Sequence, residues 1–494
     1  MMKKLSKSTL ASLPPQVTVP RYDRSSLTTG IVHIGVGGFH RAHQAMMIDS
    51  LLNEGKARNY AICGVGLLKA DRRMRDVLTA QDGLYTLVVK HADERREARV
   101  IGSIVEYMFA PDDIEAVIEK LARESTKIVS LTITEGGYNL DPITGEFLAE
   151  DEGIRRDLQP FATPATVFGI VTEALRRRRE RSVPPFTVLS CDNIQGNGAV
   201  AAKAFTSFAG LSDPKLADWI ARRVAFPNTM VDRITPATTD ADREEIHEQF
   251  GIDDEWPVVC EPLVQWVIED HFPLGRPPYE DAGAQIVEDV EPYELMKLRL
   301  LNASHQALAY FGYLAGYRYA HEAMADPHLA RLLTRYMDQE ATPTLRPVPG
   351  VDLEDYKRSI IERFSSPELR DTLARLCTDS SDRIPKFLLP VVRERFVAGG
   401  QAPLAAAIVA SWARYAEGID EDGEAIQVMD RMRDGLMKRA QLQRSSPTAF
   451  LEERSVFGDL IDEPRFVVPY LDALAMLYES GSRHTYARVC FESA

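Results

Sequence analysis

Residues 296–310, "MKLRLLNASHQALAY", set a lysine, an asparagine and a histidine into an otherwise apolar helical run. An ammonium withdrawn from water without a partner is costly, so Lys297 needs a reason to be there. At about 100° per residue, with Lys297 as zero, Glu294 falls near 60°, His305 near 80° and Asn302 near 140°. A polar set on one side of an apolar helix is what a lined cavity requires. The residue types suit the oxidation of a secondary alcohol. A lysine partly removed from water releases its proton more readily and can act as a base. An amide can donate to an oxygen on which charge develops, and an imidazole can hold a neighbouring hydroxyl. From this helix alone, a snorkelling lysine beside a satisfied core histidine explains the pattern equally well.

A second set of residues lies near the start. In "HIGVGGFHRAH", Gly35, Gly37 and Gly38, with Phe39 and His40 completing the turn, stand between a strand pattern and a helix pattern. Such glycines let the backbone turn tightly and approach a pyrophosphate at the first turn of a helix. The spacing departs from the strict G-x-G-x-x-G because His40 occupies the third position. Asp71, after the second strand pattern, can hold ribose hydroxyls or cap the helix "RRMRDVL". A ribose-bound carboxylate would repel a 2′-phosphate and favour NAD over NADP, while the adjacent Arg72 and Arg73 weaken that preference. His40 and His43 are three apart, but no third ligand accompanies them, so no metal site is expected.

The elements that must position these groups follow from periodicity. "GIVHIGV" (30–36), "YAICGVGLL" (60–68), "KIVSLTITE" (127–135) and "FTVLSCDN" (186–193) read as buried strands. Helices are expected at 40–55, 113–123 and 164–179. This alternation predicts an α/β, Rossmann-type dinucleotide-binding domain with a parallel sheet. From about residue 287 the period is helical, at 327–339, 366–378, 386–397, 403–416 and 466–478. The expectation is therefore a dinucleotide-binding domain with insertions over 1–287 and a mainly α-helical substrate domain over 288–494. "FPNTMVDRITPATT" (226–239) reads as a strand with irregular flanks and "GRPPYEDAG" (275–283) as a linker. Arg176 to Arg179 read as the solvated C-terminal end of a helix.

Composition narrows the class. The chain has 494 residues and a formal charge of −15, which gives it no global attraction to nucleic acid or anionic lipid. Its five cysteines are scattered, without a C-x-x-C pair, and fit a reducing compartment. The N-terminal "MMKKLSKSTLASLPPQ" lacks the apolar core of a secretory signal, and "LAAAIVASWA" is too short to span a bilayer. A cytoplasmic protein is expected.

"GVGGFHRAHQA", "SLTITEGGY", "SCDN", "FPNTMVDRITP" and "EPYELMKLRLLNASHQAL" together resemble the polyol-specific long-chain dehydrogenases, from about residue 25 to 480. The K-x-x-x-x-N-x-x-H pattern is specific to that family. The resemblance implies zinc-independent, NAD-dependent oxidation of a polyol at C2 to the ketose, D-mannitol to D-fructose first, with D-arabinitol or D-sorbitol as further substrates. It implies Lys297 as general base and Asn193 and Asn302 as donors to the oxyanion. His305 would bind a substrate hydroxyl, and Asp232, Arg375 and Arg383 would line the polyol site. Glu135 would sit at a water channel. A monomer acting on a small-molecule polyol or ketose is implied. Two positions depart from the family pattern. Arg383 stands where lysine is frequent, and Ala70 where an acidic residue often precedes Asp71. Two other functions compete. A hexuronate reductase of the fructuronate or tagaturonate type would use Arg375 and Arg383 on a carboxylate. An NAD-binding regulator without turnover would have no use for the Lys–Asn–His set.

Overall fold

The computed structural model describes residues 3–141 and 144–492. The chain divides into two compact units, Met1–Glu291 and Pro292–Ala494.

The first unit is built on five strands, β1 (Thr29–Ile34), β2 (Ala61–Gly66), β3 (Ile104–Phe109), β4 (Ile128–Leu131) and β5 (Thr187–Ser190), in the order β3-β2-β1-β4-β5. Every pairing is parallel. The four strands expected from the sequence are present, and their apolar runs are nearly continuous because both faces are covered. Alternate residues feed two cores. Val32, Ile34, Val129 and Leu131 pack with the helices Ile114–Ala122, Val167–Glu180 and Asn197–Gly210. Ile31, Ile62 and Ile128 pack with the opposite layer. Strand order reverses between β1 and β4, the point beyond whose carboxyl ends doubly wound sheets bind ligands.

In this unit three local expectations need correction and one element was unexpected. The helix expected at 40–55 is two helices, α1 (Gly38–Ala42) and α2 (Gln44–Asn53), broken at His43, whose φ of −123° and ψ of −96° are not helical. The hairpin Tyr85–Lys90 with Arg96–Ile101 was not expected; it pairs with Val258–Cys260 in a separate sheet. Its charged residues broke the apolar run that marks a buried strand. "GRPPYEDAG" is no free linker, since Tyr279 is fully buried, 4.7 Å from the ring of Trp266, and its hydroxyl accepts from Gln44 Nε2. Arg178 is not solvated. It is buried, donates to the Thr126 carbonyl and lies over Phe186, while Arg176 and Arg177 pair with Glu173.

The second unit is mainly helical. Pro403–Tyr415 is its centre, with every residue from Leu404 to Tyr415 buried against Ala303–Leu314 and Pro464–Glu492. Its alanines allow close approach of neighbouring helices. No local side chain caps this helix. The N–H groups of Leu404 and Ala405 donate instead to Glu340 at 2.7 and 2.8 Å. Glu340 belongs to a π-turn, Tyr336–Ala341, that continues the helix Pro327–Arg335. Burial pushes its carboxyl up to about 7, against the pull of those amides. The helix expected at 366–378 is broken into the turns Pro367–Leu369 and Leu373–Leu376. No helix among the described residues is long and apolar enough to cross a membrane.

Candidate active site

Lys297 begins a π-turn, Lys297–Asn302, inserted between the helices Glu291–Met296 and Ala303–Leu314. This changes the geometry deduced from α-helical spacing. A π-turn advances roughly 80° per residue rather than about 100°. Asn302 then lies about 40° from Lys297, and His305 about 20° to the other side. The three groups are therefore more nearly aligned than a regular helix would allow. Lys297 and Glu294 are each 6% exposed. Asn302 Oδ1 is buried and accepts no hydrogen bond, a state that natural structures rarely keep without a use for it. The His305 ring stacks on Phe364 at 4.2 Å.

In the same unit Arg375 is exposed and engaged by a carboxylate: its Nε and Nη2 donate to Asp371 at 2.7 and 2.5 Å. Arg383 Nη1 donates to the carbonyls of Leu376 (3.1 Å) and Arg375 (3.4 Å), at the C-terminal end of the short helix that carries Arg375. The fold thus brings the two arginines together.

In the first unit the loops after β1, β2, β4 and β5 leave the same edge of the parallel sheet. Gly35 has φ +94°, and an added Cβ would collide with the Thr132 carbonyl, so glycine is required there by the turn and by β4. Gly37 is different. A Cβ there would meet only the Gly35 carbonyl at 3.9 Å. The space that Gly37 leaves is open, as a phosphate approaching the backbone needs, so the turn fits a dinucleotide. Phe39 is partly exposed and stacks on His43 at 4.8 Å. His40 is buried, its ring parallel to that of His33 with centroids 3.4 Å apart. It packs helix against strand, the task a third glycine performs in the strict fingerprint. Burial holds both imidazoles neutral, His33 down to about 3.

Asp71 does not cap the following helix. Its Oδ2 accepts from the Leu68 N–H at 2.8 Å, closing the loop after β2. Gly66 admits both Asp71 and the Tyr107 hydroxyl beside it. Arg72 lies over Phe109, and Arg73 over Trp256.

Asn193 is exposed beyond β5, and Glu135 is exposed in the turn beyond β4. Two residues that sequence reasoning missed hold these loops. Asp192, 7% exposed, accepts from the N–H groups of Ile133 (3.1 Å) and Thr134 (2.8 Å) and from the Tyr138 hydroxyl (2.7 Å). It thereby ties the Glu135 turn to the Asn193 loop. Thr134 has φ +66° and ψ 167°, a conformation costly for any residue but glycine, and the Asp192 carboxylate holds its N–H. Burial raises the Asp192 carboxyl above the ordinary range while these donors oppose the rise. Asn197 reaches from the same loop to Thr229, donating to its carbonyl and accepting from its N–H, both at 2.9 Å. Thr229–Asp232 is the strand that ends in Asp232, itself buried. The only signal for either residue was its place in "SCDNIQGN". Among the described residues, no group of three or more His, Cys, Asp or Glu is arranged to hold a metal ion.

A parallel sheet covered on both faces, with a glycine turn at its switch point, joined to a helical unit that carries a buried Lys297 with half-buried Asn302 and His305, defines a dehydrogenase of the dinucleotide-binding class. The family model for the mannitol dehydrogenase Rossmann domain matches residues 29–281, and that for the mannitol dehydrogenase C-terminal domain matches 289–478. The chain belongs to the mannitol dehydrogenase family. It is 46% identical to the mannitol 2-dehydrogenase of Pyricularia oryzae over 491 residues, covering 97% of this chain and 98% of that one. The mannitol 2-dehydrogenase of Phaeosphaeria nodorum is also 46% identical, over 98% of this chain and 85% of its own. Among solved structures, the Pseudomonas fluorescens mannitol 2-dehydrogenase, in a ternary complex with NAD and D-mannitol, superposes with a TM-score of 0.91. It is 45% identical and covers 99% of this chain and 100% of its own. A substrate-free D-sorbitol dehydrogenase gives 0.90 at 37% identity, over 98% and 100%.

Proposed function

We propose that this chain is an NAD-dependent polyol 2-dehydrogenase that oxidises D-mannitol to D-fructose, with D-sorbitol or D-arabinitol as slower substrates. The observation that supports the reading is the π-turn that carries Lys297 and Asn302 and runs into the helix of His305, in a chain covered over 97% and 99% of its length by mannitol 2-dehydrogenases. NAD, when bound at the glycine turn, supplies the acceptor for the hydride from C2. Gly37 and Gly38 leave room for its pyrophosphate, with Gly35, Phe39 and His40 shaping the turn, and Asp71 holds the adenosine ribose. Lys297, buried at the start of the π-turn, takes the proton of the C2 hydroxyl as the base. The Asn302 and Asn193 amides donate to the oxygen as it becomes a carbonyl. His305, braced by Phe364, orients a neighbouring hydroxyl. Asp232, Arg375 and Arg383 bind hydroxyls further along the chain, and Glu135 passes the proton outward. The engagement of Arg375 by Asp371 favours a neutral polyol over a uronate, because one internal carboxylate already occupies its donor fork. The chain acts as a monomer in the cytoplasm.

The test is the rate of NAD reduction with D-mannitol, D-sorbitol, D-arabinitol and D-mannonate, the alcohol of D-fructuronate, at fixed NAD, after prolonged EDTA treatment. D-Mannitol is expected to lead, with activity retained. Oxidation confined to a sugar acid, or activity lost with EDTA and restored by zinc, would refute the reading.

A further inference from the structure

Arg41, in the last turn of α1, is 2% exposed. Its Nε donates to the Gly37 carbonyl at 3.3 Å and its Nη1 to the Trp256 carbonyl. The guanidinium carbon lies 5.3 Å from the centre of the Tyr85 ring and 5.7 Å from that of Trp256. None of these partners is a carboxylate. The acidic group that acts on it, Asp254, is also buried, but its oxygens are committed elsewhere: to the Thr86 N–H at 2.5 Å, the Trp256 N–H at 2.9 Å and Gln81 Nε2 at 3.0 Å. An arginine stays protonated even when buried, so a full positive charge is held inside the fold without a contacting counter-ion among the described residues. Such a charge is expensive unless something repays it.

The glycine turn is the place where it is repaid. In a regular dinucleotide fold a long helix follows the turn and its dipole attracts the pyrophosphate. Here α1 has five residues before the break at His43, so its dipole is that of little more than one turn. Arg41 is bonded to the carbonyl of Gly37, the glycine whose Cβ position is open.

We propose that Arg41 is a positioning residue of the cofactor site, fixing the Gly37 peptide and supplying from inside the fold the positive charge that the dinucleotide pyrophosphate neutralises. The proposal rests on the NAD reading above. It separates the anionic part of the cofactor from its nucleoside, and so does the test: displacement of NADH fluorescence by ADP and by adenosine, in the wild type, Arg41→Met and Arg41→Lys. Arg41→Met should weaken ADP by about tenfold or more, as loss of a nearby charge in a partly screened interior does, and leave adenosine within about twofold. Arg41→Lys should recover most of the ADP affinity, and the salt dependence of ADP binding should be shallower in Arg41→Met than in the wild type. Equal loss for ADP and adenosine, or unchanged ADP binding, overturns the proposal. Should Arg41→Met fail to fold, Asp254→Asn serves instead: removing the nearby negative charge should tighten ADP a few-fold, and no tightening counts against the proposal. A wild type that binds neither NADH nor ADP would overturn the NAD reading itself, whereas normal wild-type binding with indifferent variants overturns only the role of Arg41.

Discussion

In the first unit the proposed functional positions depend on backbone. Gly35 and Gly37 shape a turn, Asp192 grips two peptide N–H groups, and Asn197 grips a strand. In the second unit they depend on side chains set along one irregular helix, where a single π-turn decides which way Lys297, Asn302 and His305 face. A turn that binds by its backbone tolerates almost no added atom. A helix face tolerates substitution in its fold and loses only chemistry. The two regions should therefore fail differently.

The largest difference is expected at Lys297. Lys297→Ala should lower kcat for D-mannitol by about 10²–10⁴, the usual contribution of a positioned base, while NADH affinity from fluorescence titration and the melting temperature stay near the wild type. A kcat within about tenfold of the wild type would remove Lys297 from the role of base. Gly35→Ala should do the reverse and unfold before it slows. Its positive φ and the collision with Thr132 are expected to cost about 3 kcal/mol or more in urea denaturation. Gly37→Ala, with open space around it, should leave the denaturation midpoint in place and weaken NADH binding instead. If both variants behaved alike, the distinction between a structural and a binding glycine would collapse.

The buried carboxyl of Glu340 gives the second unit a pH dependence. Its folded value, about 7, lies above the ordinary 4.5. The stability it contributes is therefore fully present below about pH 4.5 and is lost as pH rises through 7. On the order of 3 kcal/mol is involved, from 1.36 kcal/mol per unit. Melting curves from pH 5 to 9 should show this loss, and Glu340→Gln should flatten it; an unchanged slope in the variant would exclude Glu340 as its source. The smallest effect on stability is expected at Asn302. Asn302→Leu should abolish efficient turnover yet raise stability by about 1 kcal/mol, because a buried acceptor without a partner disappears. A destabilised variant would show that the amide is better satisfied in solution than it is here.

The strands of the parallel sheet were readable because burial on both faces leaves short, mostly apolar runs such as "IVHI" and "IVSL", free of charged residues. The hairpin at 85–101 was not, since its charges interrupt the alternation, and Lys90, Arg96 and Arg99 are half-buried in ion pairs that only the tertiary structure supplies. The apolar run around Lys297 was readable as a helix with a polar side, but the π-turn within it, Lys297–Asn302, was not. Asp192 and Asn197 escaped notice because they bond backbone groups about 60 and 30 residues away in sequence. Arg41 escaped because an arginine in a helix ordinarily reads as surface.

Residue chemistry and short-range spacing, taken alone, were enough for the class of fold, the glycine turn and the inventory of groups able to oxidise an alcohol. Turns and buried strands are local solutions to sterics and hydrophobicity, so they leave local marks. Tertiary structure alone decided which charges are buried, which amide is left unbonded and which carboxylate holds which loop. Those outcomes depend on desolvation, and desolvation depends on what the rest of the chain brings alongside.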